Sequence, residues 1–311
     1  MNRPTMILVL LTLLFYGCST TEVPLSNDRI PERIVSMVPS ITEILFDIGV
    51  GEKIVGDSTF TIYPPETEKI EKIGGLYDTN WERIVSLKPD LIIGLVENES
   101  FVRRAKELRL RTFTVEHRRL DGVLESYEQL GALFGPEVLD RAIQKRDALK
   151  RKFDAIAERT TTPQPKRVML CLDRTRGAGR IQNLFIAGTN PFFEDVIKIA
   201  GGVNVGTETG VPIPTLSVEG VIQLKPEVII ELITGEGNVA SGKLTDEERQ
   251  RLIAVVQKDW QTLEHSVDAV KHRRIYLFFD DFTTIPGPRT PLLIEKIASV
   301  LAELHAADAD N

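Results

Sequence analysis

Two carboxylates recur in matched surroundings along this chain. Glu82 stands in Asn80-Trp81-Glu82-Arg83-Ile84-Val85-Ser86-Leu87-Lys88-Pro89, followed by the apolar run Leu91-Ile92-Ile93. Glu219 stands in Ser217-Val218-Glu219-Gly220-Val221-Ile222-Gln223-Leu224-Lys225-Pro226, followed by Val228-Ile229-Ile230, an offset of 219 − 82 = 137 residues. Asn80 and Ser217 are good helix caps, so each acid falls in the first turn of a short helix, facing the positive end of its dipole. A second group is cationic. Arg174, Arg176 and Arg180 lie in a Gly-rich loop after the apolar run 168–172. A guanidinium there can hold a phosphate or carboxylate by two parallel bonds, or the loop can simply be solvated. His117-Arg118-Arg119 is placed in the same way after the run 112–115. Catalytic patterns are missing. There is no Walker loop, no Gly-x-Ser-x-Gly elbow and no Cys/His pair with a partner, and Gly74-Gly75 and Gly201-Gly202 lack a dinucleotide fingerprint. Four histidines (His117, His265, His272, His305) are few for a zinc or manganese site, which needs several converging ligands. Cys171 reads as a small buried hydrophobe, and Cys18, far away at the end of an apolar stretch, is not its disulfide partner. We expect no enzyme, no catalytic cofactor and no metal.

The elements that carry these residues follow from the patterning. With 311 residues, 42% hydrophobic and 27% charged, the composition is that of a globular protein of about two domains. A net charge of −7 argues against a general binder of nucleic acid or anionic membranes. Residues 1–18 predict an export signal: Arg3, then an apolar run over 6–16 broken only by Thr12, then Gly17-Cys18. The run is too short to span a bilayer and suits a signal peptide. Gly17-Cys18 resembles a lipoprotein processing site, with Phe15 and Tyr16 departing from the usual pattern, so lipidation of Cys18 is expected; an ordinary signal peptide or an uncleaved anchor are the alternatives. Residues 19–29 form a polar tether.

Residues 30–136 predict a first lobe of alternating strands and helices. Strands are expected at 33–38, 54–56, 91–93 and 112–115, with helices after Pro39, around 81–87, at 101–108 and at 120–134. Ser40 and Glu43 have capping-box spacing, which gives Glu43 a structural role. Residues 137–160 read as one long helix, about 30 Å over roughly 20 residues, joining the lobes. Residues 161–311 repeat the plan, with strands at 167–172, 184–186, 228–230 and 274–279. Asn190-Pro191 starts a helix, Thr245 with Glu248 makes a capping box, and 291–304 is a closing amphipathic helix. The fold class is α/β, two Rossmann-like lobes with parallel sheets joined by a single long helix.

Several stretches together resemble the substrate-binding proteins of ABC importers for cobalamin, haem and ferric siderophores, the class III periplasmic binding proteins. They are Arg33 to Ser36 with Pro39 to Glu43, Tyr63-Pro64-Pro65, Asn80 to Ile93, Ala200-Gly201-Gly202, Trp260 with Ala269-Val270-Lys271 and Ile275-Tyr276, and Gly287-Pro288-Arg289. They run in family order over nearly all of residues 30–305. The resemblance implies a non-catalytic, monomeric protein that binds a corrinoid or iron complex between its lobes, where the loops at the strand ends converge, and delivers it to a permease dimer with its ATPase subunits. It implies ligand contacts from Phe60, Tyr77 and Phe282, while Ile213 stands where a tryptophan would help. Arg174 and Arg176 would suit an anionic group of the ligand. Glu82 and Glu219 match the acids that, in this family, dock against arginines on the two permease subunits. The implied location is outside the cytoplasm, held to a membrane by the lipid on Cys18. A sensory or receptor module of the same fold, or a binder of a free metal ion, are the competing readings.

Overall fold

The computed structural model describes residues 29–233 and 244–309, and everything below concerns the unit that begins at Pro31. Cys18 and the expected signal and tether lie outside the described residues. The first lobe holds β1 (Ile34–Ser36), α1 (Pro39–Asp47), β2 (Ile54–Asp57), β3 (Glu71–Lys72), α2 (Trp81–Ser86), β4 (Leu91–Leu95), α3 (Glu99–Glu107), β5 (Thr112–Val115) and α4 (Leu120–Ala132). Its strands stand in the order β3-β2-β1-β4-β5, all parallel. Strands β2 and β3 are added on one side of β1, and β4 and β5 on the other, so the loops leaving β1 and β4 flank a topological switch point, the usual place for a ligand.

Helix α5 (Pro136–Thr160) follows, 25 residues with a proline in its first turn. At 1.5 Å per residue it is about 37 Å long, longer than expected. Asp47 at the end of α1 ties it down, accepting from Tyr127 Oη at 2.8 Å and Lys145 Nζ at 2.7 Å. Gly131 on α4 lies so close to Ala142 that a Cβ there would be 2.6 Å from the alanine methyl, which lets the two helices touch.

The second lobe holds β6 (Lys166–Thr175), β7 (Gln182–Ile186), α6 (Pro191–Ile199), β8 (Gly202–Asn204), β9 (Thr215–Leu216), α7 (Val218–Leu224), β10 (Val228–Leu232), α8 (Asp246–Trp260), α9 (Asp268–Lys271), β11 (Ile275–Phe278) and α10 (Thr290–Ala309). Here the expectation of a wholly parallel sheet needs correction. The parallel part, β11-β10-β6-β8, repeats the first lobe's β5-β4-β1-β2. Strand β7 is antiparallel to β6, and β9 is antiparallel to β7. The reason is local: six residues separate β6 from β7, and a parallel return needs a crossover of a dozen or more.

The internal repeat extends to the backbone. Lys88 and Lys225 both take left-handed conformations, at φ 48° and 45°, ending α2 and α7 before their prolines. One arginine clasps each helix end. Arg33 gives Nη2 to Leu87 O at 2.6 Å and Nε to Lys88 O at 3.2 Å; Arg167 gives Nη2 to Leu224 O at 2.7 Å and Nε to Lys225 O at 3.3 Å. Cationic donors on the last carbonyls of a helix satisfy groups that have no partner inside it. Asp90 then accepts from Arg33 N, and Glu227 from Arg167 N. The expected caps form at Asn80, Ser217, Asn190 and Thr245, the last as a full capping box with Glu248.

One hydrophobic core runs through both lobes. It joins Ile34, Leu45 and Leu91 of the first, Leu149, Phe153 and Ile156 of α5, and Val168, Ile230 and Leu301 of the second. Smaller clusters lie under α2 and α3, and under α7, α8 and α9.

Candidate functional site

The strand-end face of the first lobe presents its apolar side chains to solvent. Phe60 is 67% exposed and Tyr77 99%, with Ile62, Tyr63 and Leu76 also exposed. Uncovered aromatics grouped on loops point to a binding surface. The loop from Ser58 to Ile70 is held from behind. Lys72 on β3 donates to Asp57 Oδ1 at 2.8 Å, to Thr61 O at 2.8 Å and to Thr67 O at 3.2 Å, so all three of its protons are used. Burial pushes the Asp57 carboxyl up to about 6, although Lys72 pulls it down. Phe60 packs against Gly75, where a Cβ would come within 2.5 Å of the ring. Asp78 accepts from Gly75 N at 2.8 Å and fixes the turn that carries Tyr77. Tyr77 borders a groove of about 440 Å³ shared with Trp81, Phe101, Arg103 and Arg104 on the outer side of the lobe.

The second lobe meets this face through Arg289, just ahead of α10. Its Nε and Nη2 reach the Glu43 carboxylate at 3.1 and 2.6 Å, and its Nη1 reaches Asp281 at 2.8 Å. The guanidinium also lies over the ring of Tyr63 at 4.2 Å and near Phe282 at 5.6 Å. Phe282 is thus half-buried beside the arginine, at the junction of the lobes. This corrects the expectation for Glu43. Helix α1 begins at Pro39 with Val38 as its cap residue and no side-chain cap, so Glu43 sits too deep in the helix to cap it. Burial raises the Glu43 carboxyl above its ordinary value, against the lowering effect of Arg289. Tyr63 and Arg289 were not marked as site residues by sequence reasoning. Both lie in quoted motifs, and an arginine in a Gly-Pro-Arg turn ahead of a helix was the available signal.

Ser40 is occupied as well. Its hydroxyl bonds His117 Nδ1 at 2.8 Å, and His117 Nε2 bonds Ser126 at 3.0 Å. Ser126 donates its own proton to Val123 O at 2.7 Å, so Nε2 must carry the imidazole proton and Nδ1 must accept from Ser40. His117, on the loop after β5, is therefore a buried, neutral brace between α1 and α4, with its pKa lowered by burial to about 4. The folded value lies below the ordinary one, so the unfolded chain binds the proton first. The stabilising contribution is complete above about pH 6.5 and is lost as the pH falls toward 4, up to about 3 kcal/mol. Asp57 acts in the opposite sense over the same range, so the contribution is read as a difference. Urea midpoints of wild type and His117→Gln should converge between pH 7 and pH 4; a constant gap would remove the neutral brace.

The arginine loop is corrected. Arg174 does not reach the surface: its side chain is fully buried, with Nε 2.6 Å from Glu231 and Nη1 2.7 Å from Asp259. Trp260 Nε1 donates to the same Glu231 oxygen. Burial alone would raise the Asp259 carboxyl, but Arg174 and the amides of Gly177 and Gly179, at 2.8 and 2.7 Å, hold it below its ordinary range. The Gly-rich loop is thus wrapped around a buried carboxylate. Arg176, with 17% of its side chain exposed, is the outer member of the group, held loosely by Asp173 and Leu232 O at 3.3 Å and by Glu231 at 3.5 Å. Cys171 is buried nearby, and its thiol is pushed well above its ordinary range by burial and by Glu231. Glu82 and Glu219 both lie on the surface in the first turns of α2 and α7. The carboxyl of Glu219 is held below its ordinary value by its own backbone amide and by Ser217. Among the described residues no group of three or more His, Cys, Asp or Glu is placed to hold a metal, and no helix is long and apolar enough to cross a membrane.

Comparison with known proteins gives concordant matches. A family model described as "Periplasmic binding protein" matches residues 34–281. The vitamin B12-binding protein of Vibrio cholerae serotype O1 is 26% identical over 274 residues, covering 87% of this chain and 89% of that protein. An uncharacterized ABC transporter substrate-binding lipoprotein, YvrC of Bacillus subtilis, is 27% identical over 278 residues, covering 86% and 79%. Among solved structures, the periplasmic heme-binding protein RhuT from Roseiflexus sp. RS-1 superposes with a TM-score of 0.69 at 24% identity, covering 88% of this chain and 98% of that one.

Proposed function

This chain belongs to the periplasmic binding protein family, and from that premise we propose that it captures a corrinoid or an iron chelate such as haem or a ferric siderophore and hands it to an ABC importer. The observation that carries the reading is the set of uncovered aromatic side chains, Phe60, Tyr63 and Tyr77, on the loops that leave β2 and β3 on the strand-end face of the first lobe's parallel sheet. Such rings offer a flat apolar platform for a macrocycle. Phe282 adds an aromatic from the second lobe, and Arg176, loosely held and partly exposed, is available to an anionic arm of the ligand. A vitamin B12-binding relative over most of both lengths supports the corrinoid, and a heme-binding protein of the same fold supports the iron complex. Native mass spectrometry of the purified chain with cyanocobalamin, haemin and several ferric siderophores should give one 1:1 complex. A tight complex with a bare divalent ion, and none with a chelate, would overturn the reading.

The partners follow: a two-fold permease with ATPase subunits, met by one carboxylate from each lobe, Glu82 and Glu219. The transported ligand is the only small molecule required, and the working unit is a monomer with no role for nucleic acid. The leader with Gly17-Cys18, together with a lipoprotein among the relatives, supports export and attachment to a membrane through a lipid on Cys18. Cys18→Ala should move the protein from the membrane fraction to the soluble one; unchanged membrane association would mean that the lipid is not the anchor.

A further inference from the structure

The lobes are tied by one side chain at the place where a ligand would rest. Every nitrogen of the Arg289 guanidinium is engaged. Nε and Nη2 hold Glu43 on α1, Nη1 holds Asp281 of its own lobe, and the flat face covers Tyr63 at 4.2 Å. A Cβ at Gly287 would lie 3.5 Å from Glu43 Oε2 and 3.7 Å from Ser40 Cα, so the turn before Arg289 runs alongside this contact. Tyr63 still leaves 43% of its surface open and shares its loop with Phe60. Planarity matters here. Only a guanidinium can make a forked bond to a carboxylate and stack on a ring at once; a lysine would keep the charge and lose both geometries.

We propose that Arg289 is the positioning residue of the binding face: it fixes the aromatic loop of the first lobe to the second lobe, so that a ligand seated on Tyr63 and Phe60 engages both lobes through it. The inference rests on the proposed ligand site only for its last clause; the tie itself needs no ligand. Arg289 is not assigned direct contact with the ligand. Its effect is exerted through Tyr63 and Glu43.

Hydrogen exchange of the full chain, read by mass spectrometry, separates the two clauses. Without ligand, Arg289→Lys should raise exchange severalfold in two segments, residues 58–70 of the first lobe and 279–289 of the second. Glu43→Gln, which leaves the arginine in place, should reproduce the change at 58–70. With cyanocobalamin or haemin bound, wild type should be protected in both segments, and Arg289→Lys only at 58–70. If Arg289→Lys perturbs 279–289 alone, or Glu43→Gln leaves 58–70 unchanged, the tie is overturned. Equal protection of both segments in Arg289→Lys would overturn the coupling. If neither probe binds wild type, the ligand assignment and the coupling clause fail together, while the ligand-free exchange still decides the tie.

Discussion

Cells carrying the double substitution Glu82→Lys with Glu219→Lys should lose uptake of the transported ligand, while the purified protein folds normally and binds that ligand as wild type does. The two acids occupy the same position of the repeated helix, one per lobe, and both point outward. Neither is required by the fold. Each helix already has its side-chain cap, Asn80 or Ser217, and each C-terminus already has its arginine clasp. A carboxylate in a first turn gains from the helix dipole, and that accounts for either acid alone. It does not account for both persisting at matched positions on an otherwise solvated surface. A two-fold permease would meet this pseudo-two-fold pair with one cation on each half, which fixes orientation, and a lysine there turns attraction into like-charge repulsion. Each single reversal should give a partial loss. Normal uptake by a folded double variant would reduce the acids to helix-dipole partners.

Arg174→Met should cost about 3–5 kcal/mol of stability, the range for removing one partner of a fully buried ion pair. Asp259 is left without its cation and Glu231 with only the more distant Arg176 at 3.5 Å, and neither can reach water because both are buried. Asp259 would keep its two glycine amides, so Glu231 should be the more damaged group. Arg174→Met combined with Glu231→Gln should therefore recover part of the loss, since an amide can accept from Trp260 without carrying charge. Equilibrium unfolding in urea is the measurement. A cost below about 1 kcal/mol, the level of an exposed pair, would mean that this arginine does not hold the loop.

Much of the architecture was legible because it is local. The switch from short continuous apolar runs to helical spacing marks most strands and helices, and the caps at Asn80, Ser217, Asn190 and Thr245 depend only on residues three positions apart. The antiparallel β7 was legible in principle, from the short loop before it. What could not be read is pairing across the chain. Arg174 finds partners 57 and 85 residues away, and Arg289 finds Glu43 across 246 residues. In sequence, a Gly-rich stretch with three arginines looks the same whether it faces water or folds over a buried aspartate. Ser40 and Glu43 show the opposite failure. Their spacing suits a capping box, but Pro39 starts the helix two residues earlier than a Ser40 cap would, and frees both for tertiary partners, His117 and Arg289. Phe60, Tyr77, Glu82 and Glu219 stand exposed, as side chains do for which the core offers no partner.

The continuous core around α5 has a consequence for how the molecule comes apart. A hinge of two lobes on a bare rod could lose one lobe to heat while the other stood. Here Leu149, Phe153 and Ile156 of the rod pack into the same apolar body as Ile34 and Leu91 on one side and Val168 and Ile230 on the other. Removing either lobe strips the rod of its cover and exposes apolar surface on the survivor. The free energy of a half-unfolded form therefore carries the cost of that exposed interface. Melting is then a single cooperative event of the whole unit, and a lesion deep in either lobe is felt as a lowered midpoint for both.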